Sequence, residues 1–165
     1  MPILDANSLD YFSRSPEQTR RMGIRLGRLL DKTDIVCLSG DLGAGKTTLV
    51  QGIAKGWGSL DSVSSPTFIL VNVYRRPDKS TLSHLDAYRM QSALEAEDLD
   101  LDPMIDNGPV VIEWPERIEA VLPRERLWVS MRWLADEQRG MLFKAVGKRY
   151  MTLIHKLQKQ IYGGV

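Results

Sequence analysis

Nine residues, Gly40-Asp41-Leu42-Gly43-Ala44-Gly45-Lys46-Thr47-Thr48, stand between the apolar run Ile35-Val36-Cys37-Leu38 and the helical run Leu49-Val50-Gln51-Gly52-Ile53-Ala54-Lys55. The spacing G-x-x-x-x-G-K-[ST] is met at Gly40, Gly45, Lys46 and Thr47. A strand, a loop of this pattern and a helix describe a turn whose main-chain N–H groups surround phosphate oxygens. Glycines allow the close approach and the positive φ values, and the helix start adds the positive end of its dipole. In this pattern Lys46 bridges the β- and γ-phosphates of a nucleoside triphosphate, and the Thr47 hydroxyl ligates Mg²⁺. An ordinary glycine-rich turn is the alternative, and the flanking strand and helix favour the phosphate loop.

The rest of the chain has to build one core around that loop. A length of 165 residues suits a single domain, taken here as 1–165. A hydrophobic content of 43% with 26% charged residues is that of a globular protein. The net charge of +1 gives no global pull toward nucleic acid or membrane. Its distribution is uneven: Glu95, Glu97, Asp98, Asp100, Asp102 and Asp106 form an acidic stretch, while only basic charges follow Glu137. Solvated faces account for both, and a basic C-terminal surface meeting RNA or an acidic partner is the alternative. The lone Cys37 excludes an internal disulfide and reads as a buried thiol. No secretory signal or membrane-length apolar run is visible, so a cytoplasmic protein is expected.

Along the chain, Leu9–Ser13 reads as an edge strand. Ser15-Pro16-Glu17-Gln18 reads as a helix start, with Ser15 at the N-cap and Gln18 at the capping-box position. Met22, Leu26, Leu29 and Leu30 then repeat with helical spacing. A hairpin is expected from Phe68–Tyr74 and Thr81–Leu85, and a helix around Ser92–Leu99 closed by Pro103. Pro109-Val110-Val111-Ile112 reads as a strand buried on both faces of a parallel sheet. A terminal hairpin is expected from Arg126–Leu134 and Met141–Val146 around a turn at Ala135–Gly140. An amphipathic basic helix over 148–162 ends the domain. The expected fold is therefore α/β, a P-loop domain with a parallel sheet core flanked by antiparallel strands and helices.

A phosphate loop needs a carboxylate on its magnesium side, at the end of a neighbouring apolar strand. Asp86, after Leu82–Leu85, and Glu113, after Val110-Val111-Ile112, both qualify. Glu113 has the cleaner setting, because open α/β sheets place ligands at the carboxyl ends of their strands. Capping the strand or pairing with Arg117 is its structural alternative. Asp86 is a candidate to position or deprotonate the attacking water, or to hold Mg²⁺, with a salt bridge to Arg89 as the alternative. Ser65-Pro66-Thr67 lies where many P-loop proteins place a segment that senses the γ-phosphate through a hydroxyl. His84 reads as a structural hydrogen-bonder and Trp114 as packing. No Asn-Lys-x-Asp sequence is present, which tilts the base from guanine toward adenine.

Four stretches in order carry a resemblance: Gly40–Leu49, Val63-x-Ser65-Pro66-Thr67-Phe68-x-Leu70, His84-x-Asp86-x-Tyr88-Arg89, and Ile112-Glu113-Trp114-Pro115-Glu116. Together they resemble the TsaE (YjeE) family, small ATPases of tRNA threonylcarbamoyladenosine synthesis. The resemblance covers residues 15–116 and is loose beyond Arg117. It implies ATP and Mg²⁺ at Gly43–Thr48, with Thr47 and Glu113 near the metal. It implies hydrolytic or switching roles for Asp86 and Thr67, and a place near the nucleotide for Glu116. It also brings the helix start, Ser15 to Thr19, near the base. It further implies a helper role toward a partner pair, TsaB and TsaD, in modifying the adenosine beside the anticodon of tRNAs reading codons that begin with A, with tRNA met indirectly. A small-molecule kinase and a nucleotide-controlled binding module without turnover are the alternatives. The acidic stretch from Glu95 to Asp106 would make a poor kinase lid, since carboxylates repel phosphate.

Overall fold

Ile35-Val36-Cys37-Leu38 and Val110-Val111-Ile112 have no polar face to offer water, so both must lie inside a sheet covered on two sides. The computed structural model, which describes residues 6–63 and 71–163, places them side by side at its centre. Strand β1 (Ser8–Ser13) leads to helix α1 (Pro16–Leu29), strand β2 (Ile35–Ser39) and helix α2 (Lys46–Trp57). Strands β3 (Val71–Arg75) and β4 (Thr81–Asp86) precede two short helices, α3 (Ala93–Glu97) and α4 (Leu101–Asn107). Strand β5 (Val110–Glu113), the hairpin β6 (Arg126–Ala135) and β7 (Gln138–Val146), and helix α5 (Lys148–Tyr162) follow.

One seven-stranded sheet takes the order β1-β7-β6-β2-β5-β4-β3. The strands β6, β2, β5 and β4 pair in parallel, while β7, β1 and β3 pair antiparallel at the flanks. Alternate residues of β2 feed different layers. Val36 and Leu38 join Leu26, Ile53 and Leu153 beneath α1, α2 and α5. Ile35 and Cys37 join Val110, Ile112, Ala96 and Ile118 on the opposite face. Burial pushes the Cys37 thiol up to about 12, so it is inert structural filling.

Helix α1 begins as expected: Ser15 Oγ accepts the Gln18 N–H, and Gln18 Oε1 accepts the Arg14 N–H. Its contact with α2 is made by glycines. A Cβ at Gly52 would stand 2.1 Å from the Arg20 carbonyl oxygen, and one at Gly27 would stand 2.0 Å from that of Ile53. The two backbones therefore touch, which holds the first turn of α1 beside the first turn of α2. At the other end of the molecule α5 buries Leu153, Ile154 and Leu157. Arg149 grips the buried Asp34 with two hydrogen bonds of 3.0 and 2.7 Å, and the Tyr150 hydroxyl accepts the Ile35 N–H at 2.9 Å. One of the C-terminal basic residues is thus consumed inside the fold, leaving Lys148, Lys156 and Lys159 exposed.

Two expectations need correction. The acidic segment is two helices rather than one, and Pro103 does not close a helix but sits in the first turn of α4. At that position the missing N–H would have had no intrahelical partner, so proline is tolerated. The terminal turn is shorter than Ala135–Gly140, because Ala135 already pairs with Gln138. Arg139 Nη1 donates to the carbonyls of Ala135, Asp136 and Gln138, closing the turn from within. Of the expected strand Phe68–Tyr74, residues Phe68–Leu70 lie outside the described residues, as do Ser65, Pro66 and Thr67.

The glycine contact gives a prediction whose sign decides the matter. Helix propensity alone says that Gly52→Ala should stabilise α2 by about 1 kcal/mol. The close approach says it should destabilise the protein by about 1–3 kcal/mol through overpacking. Chemical unfolding of the variant is expected to show a lower midpoint, and an unchanged or higher one would contradict the packing.

Candidate functional site

Parallel strands end at a common edge, and here β2, β4 and β5 all end where the loop begins. Gly40 opens that loop with φ +146°, and a Cβ there would meet the Met131 carbonyl oxygen of β6 at 2.5 Å. Only glycine lets the chain leave β2 so close to its neighbour. Gly45, with φ +98°, forms the N-cap of α2 and provides no side chain to cap it. The first amides of α2 therefore have no side-chain cap, and no acidic residue lies in its first turn. That is the donor set an anion requires. Leu42, Gly43, Gly45, Lys46, Thr47 and Thr48 line a cleft of about 320 Å³ above it. Ala44 is buried beneath the loop, and Asp41 is exposed on it.

Lys46 is buried, and its ammonium donates to the Gly40 carbonyl. It also rests 3.7 Å from the centroid of the Trp114 ring. Burial depresses its pKa, while Glu113, Glu116, Asp86 and Asp41 oppose that depression through their charges. Trp114, in a left-handed backbone conformation with φ 58°, packs its ring against Tyr88 at 4.9 Å. Its expected packing role is correct, but one of its contacts is the charged end of the loop lysine, a cation–π arrangement.

The two expected carboxylates are brought together. Asp86 and Glu113 are register partners on β4 and β5, and Glu113 is also the partner of Leu38 on β2. Both line the cleft with Thr47. Glu113 is buried and does not pair with Arg117: its Oε2 lies 2.6 Å from His84 Nε2. His84 Nδ1 in turn lies 2.9 Å from the Tyr74 hydroxyl, and His84 is fully buried. A neutral imidazole satisfies both contacts, accepting Tyr74 O–H at Nδ1 and donating Nε2–H to an ionised Glu113. Histidine thus orients the carboxylate from behind, as outer-shell groups orient metal ligands. Half-buried Asp86 accepts the Tyr88 N–H at 2.8 Å. Burial pushes its pKa up, and the Glu113 charge pushes in the same direction. Asp86 is accordingly a stronger base than an ordinary carboxylate.

The remaining expected residues lie farther out. Glu116 is exposed in the 3₁₀ turn Pro115–Arg117 and reaches the cleft only through its field on Lys46. The Ser15 hydroxyl is committed to capping α1. Thr19 is buried, with its hydroxyl 2.7 Å from Ser13 Oγ, yet it lines a crevice beside the loop with Pro16, Gly45, Thr48, Glu137 and Arg139. Thr67 lies outside the described residues. Arg139 lines both cleft and crevice and was not expected.

This donor set fits a nucleotide and Mg²⁺. Uncapped amides and a lysine suit phosphate oxygens. Among the described residues no cluster of three His, Cys, Asp or Glu could cage a metal. Magnesium asks for less, since it keeps waters and takes one or two carboxylates plus substrate phosphates. Thr47, Glu113 and Asp86 would hold it.

Residues 13–141 match the family model described as threonylcarbamoyl adenosine biosynthesis protein TsaE. The chain belongs to the TsaE family. Its relatives include the tRNA threonylcarbamoyladenosine biosynthesis protein TsaE of Bacillus subtilis, 38% identical over 92% of this chain and 94% of that protein. The protein of the same name from Streptomyces coelicolor is 41% identical over 81% of this chain and 94% of its own length. A crystal structure of Bacillus subtilis YdiB superposes with a TM-score of 0.78 at 33% identity, covering 93% of this chain and 96% of that one. Two of the four stretches that carried the resemblance, those at His84 and at Ile112, converge on the cleft with the loop. For a TsaE-family chain these stretches are thus one site assembled from three strand ends.

The His84–Glu113 contact should be energetic and not merely close. In a double-mutant cycle, His84→Leu and Glu113→Gln should show a coupling of about 0.5–3 kcal/mol in unfolding free energy. Additive effects would mean that the contact contributes nothing beyond its separate parts.

Proposed function

We propose that this chain is an ATPase that binds Mg-ATP at Gly40–Thr48 and hydrolyses it slowly. Its turnover serves a TsaB–TsaD pair in tRNA threonylcarbamoyladenosine formation. The observation that carries this reading is the convergence of uncapped loop amides, Lys46, Thr47, Glu113 and Asp86 on one cleft. Family membership supports the pathway, and the pathway supports partner proteins, a cytoplasmic setting and indirect contact with tRNA. Among the described residues no helix is long and apolar enough to cross a membrane.

When bound, the nucleotide and metal supply a polarised terminal phosphoryl group; the chain's own residues do the rest. The loop amides and Lys46 bind the polyphosphate and balance its charge. Thr47 and Glu113 hold the metal side, with Glu113 oriented by His84. Asp86 positions the attacking water and accepts its proton, a role its raised proton affinity suits. Thr67 would add a hydroxyl toward the terminal phosphate. Arrangement and charge neutralisation, not covalent chemistry, carry most of such a reaction. Slow turnover alone follows if the partners complete the site.

Titration calorimetry tests the binding step: Lys46→Ala should abolish measurable Mg-ATP affinity, and unchanged binding would remove the loop assignment. Turnover is tested by adding the TsaB–TsaD pair. ATP hydrolysis should be slow without it and faster with it. Fast turnover with a small acceptor and no partner would instead make the protein a kinase.

A further inference from the structure

Arginines in this fold are mostly spoken for. Arg75, Arg76, Arg126, Arg132 and Arg149 each reach a carboxylate within 3.5 Å. Arg139 does not: among the described residues no carboxylate stands within ion-pair distance of it. Its Nη1 is tied to three carbonyls of the β6–β7 turn, which fixes the guanidinium in place. Its Nε is buried without any hydrogen-bond partner and stands as the lone such side-chain atom among the described residues. A buried charged donor without an acceptor is costly, and its persistence calls for a ligand that completes it.

The position says which ligand. The Cγ and Nε atoms of Arg139 lie 3.6 and 3.7 Å from where a Cβ on Gly45 would stand, so the side chain lies against the loop at the start of α2. Asp86, Glu113 and Trp114 line the cleft but not the crevice toward Thr19, whereas Gly45, Thr48 and Arg139 line both. Glu137 lines the crevice too, without pairing with Arg139. Lys46 and the carboxylates therefore mark the metal end of the cleft, and Arg139 marks the end away from it. Loop amides cradle the α- and β-phosphates while the loop lysine reaches the β- and γ-phosphates. We infer that Arg139 is a nucleotide-binding residue, a clamp from the β6–β7 hairpin that donates to the non-terminal phosphates. This rests on the nucleotide reading above. It adds that the hairpin, which packs along the phosphate-loop strand, supplies half of the grip.

Calorimetry of Mg-ATP and Mg-ADP with the full chain and its Arg139→Gln variant tests the inference. One charged hydrogen bond corresponds to about a tenfold to hundredfold change in affinity. Both nucleotides should lose affinity by a similar factor in that range, with kcat at saturating ATP little changed. Arg139→Lys, which keeps charge and stem, should fall between, and it serves if the glutamine variant unfolds. The ³¹P resonance of the bound ADP α-phosphate should also shift in either variant, which loosening of the hairpin alone would not produce. Unchanged affinity for both nucleotides would overturn the assignment. Loss for ATP alone would also overturn it, by moving Arg139 to the terminal phosphate. A wild-type chain that binds neither nucleotide would overturn the nucleotide reading itself, a result distinct from either of these.

Discussion

The pairing of β2 with β5, and of β5 with β4, all parallel and in register, is the constraint on which the site depends. Leu38, Glu113 and Asp86 stand in one row across three strands. Neighbouring strands lie about 4.8 Å apart, so the row delivers two carboxylates to the edge where the chain leaves β2 for the loop. A slip of one residue would turn both carboxylates to the other face. Burial of the apolar runs on both sides of the sheet protects the row against that slip: Val36, Leu38 and Val111 are wanted on one face, Ile35, Cys37, Val110 and Ile112 on the other. Core packing and site geometry are thus the same specification.

The loop depends on a second neighbour. β6 runs beside β2, and its Met131 carbonyl occupies the space that a side chain at position 40 would need. Glycine there answers both to the ligand and to the adjoining strand. The glycine contact between α1 and α2 does the same at the next level. It holds Thr19 beside Gly45 and Thr48, although α1 and the loop are separated by a whole strand.

What was legible in the sequence was what is written locally. The loop pattern, the cap at Ser15, the doubly buried run at Val110-Val111-Ile112 and the helix over 148–162 each depend on neighbours within a few residues. The grouping of Asp86 and Glu113 was also readable, because a lone carboxylate ending an apolar strand points to a strand end at the ligand edge. The contacts that complete the site were not readable. His84 and Glu113 are 29 residues apart, and Arg139 meets Gly45 only because β6 lies beside β2 and its hairpin folds back. Trp114 gave a packing signal, and packing is what it does, but nothing local says that its ring faces an ammonium. The acidic segment misled for a different reason. Proline reads as a stop, yet in the first turn of a helix it costs little.

The central claim is that main-chain amides at the start of α2 grip a polyphosphate. Amide chemical shifts of the ¹⁵N-labelled chain, followed as a non-hydrolysable Mg-ATP analogue is added, test it most directly. The amides of Gly43, Gly45, Lys46, Thr47 and Thr48 should move first and farthest, with those near Glu113 following. Shifts confined to another surface, or none at millimolar analogue, would contradict the account.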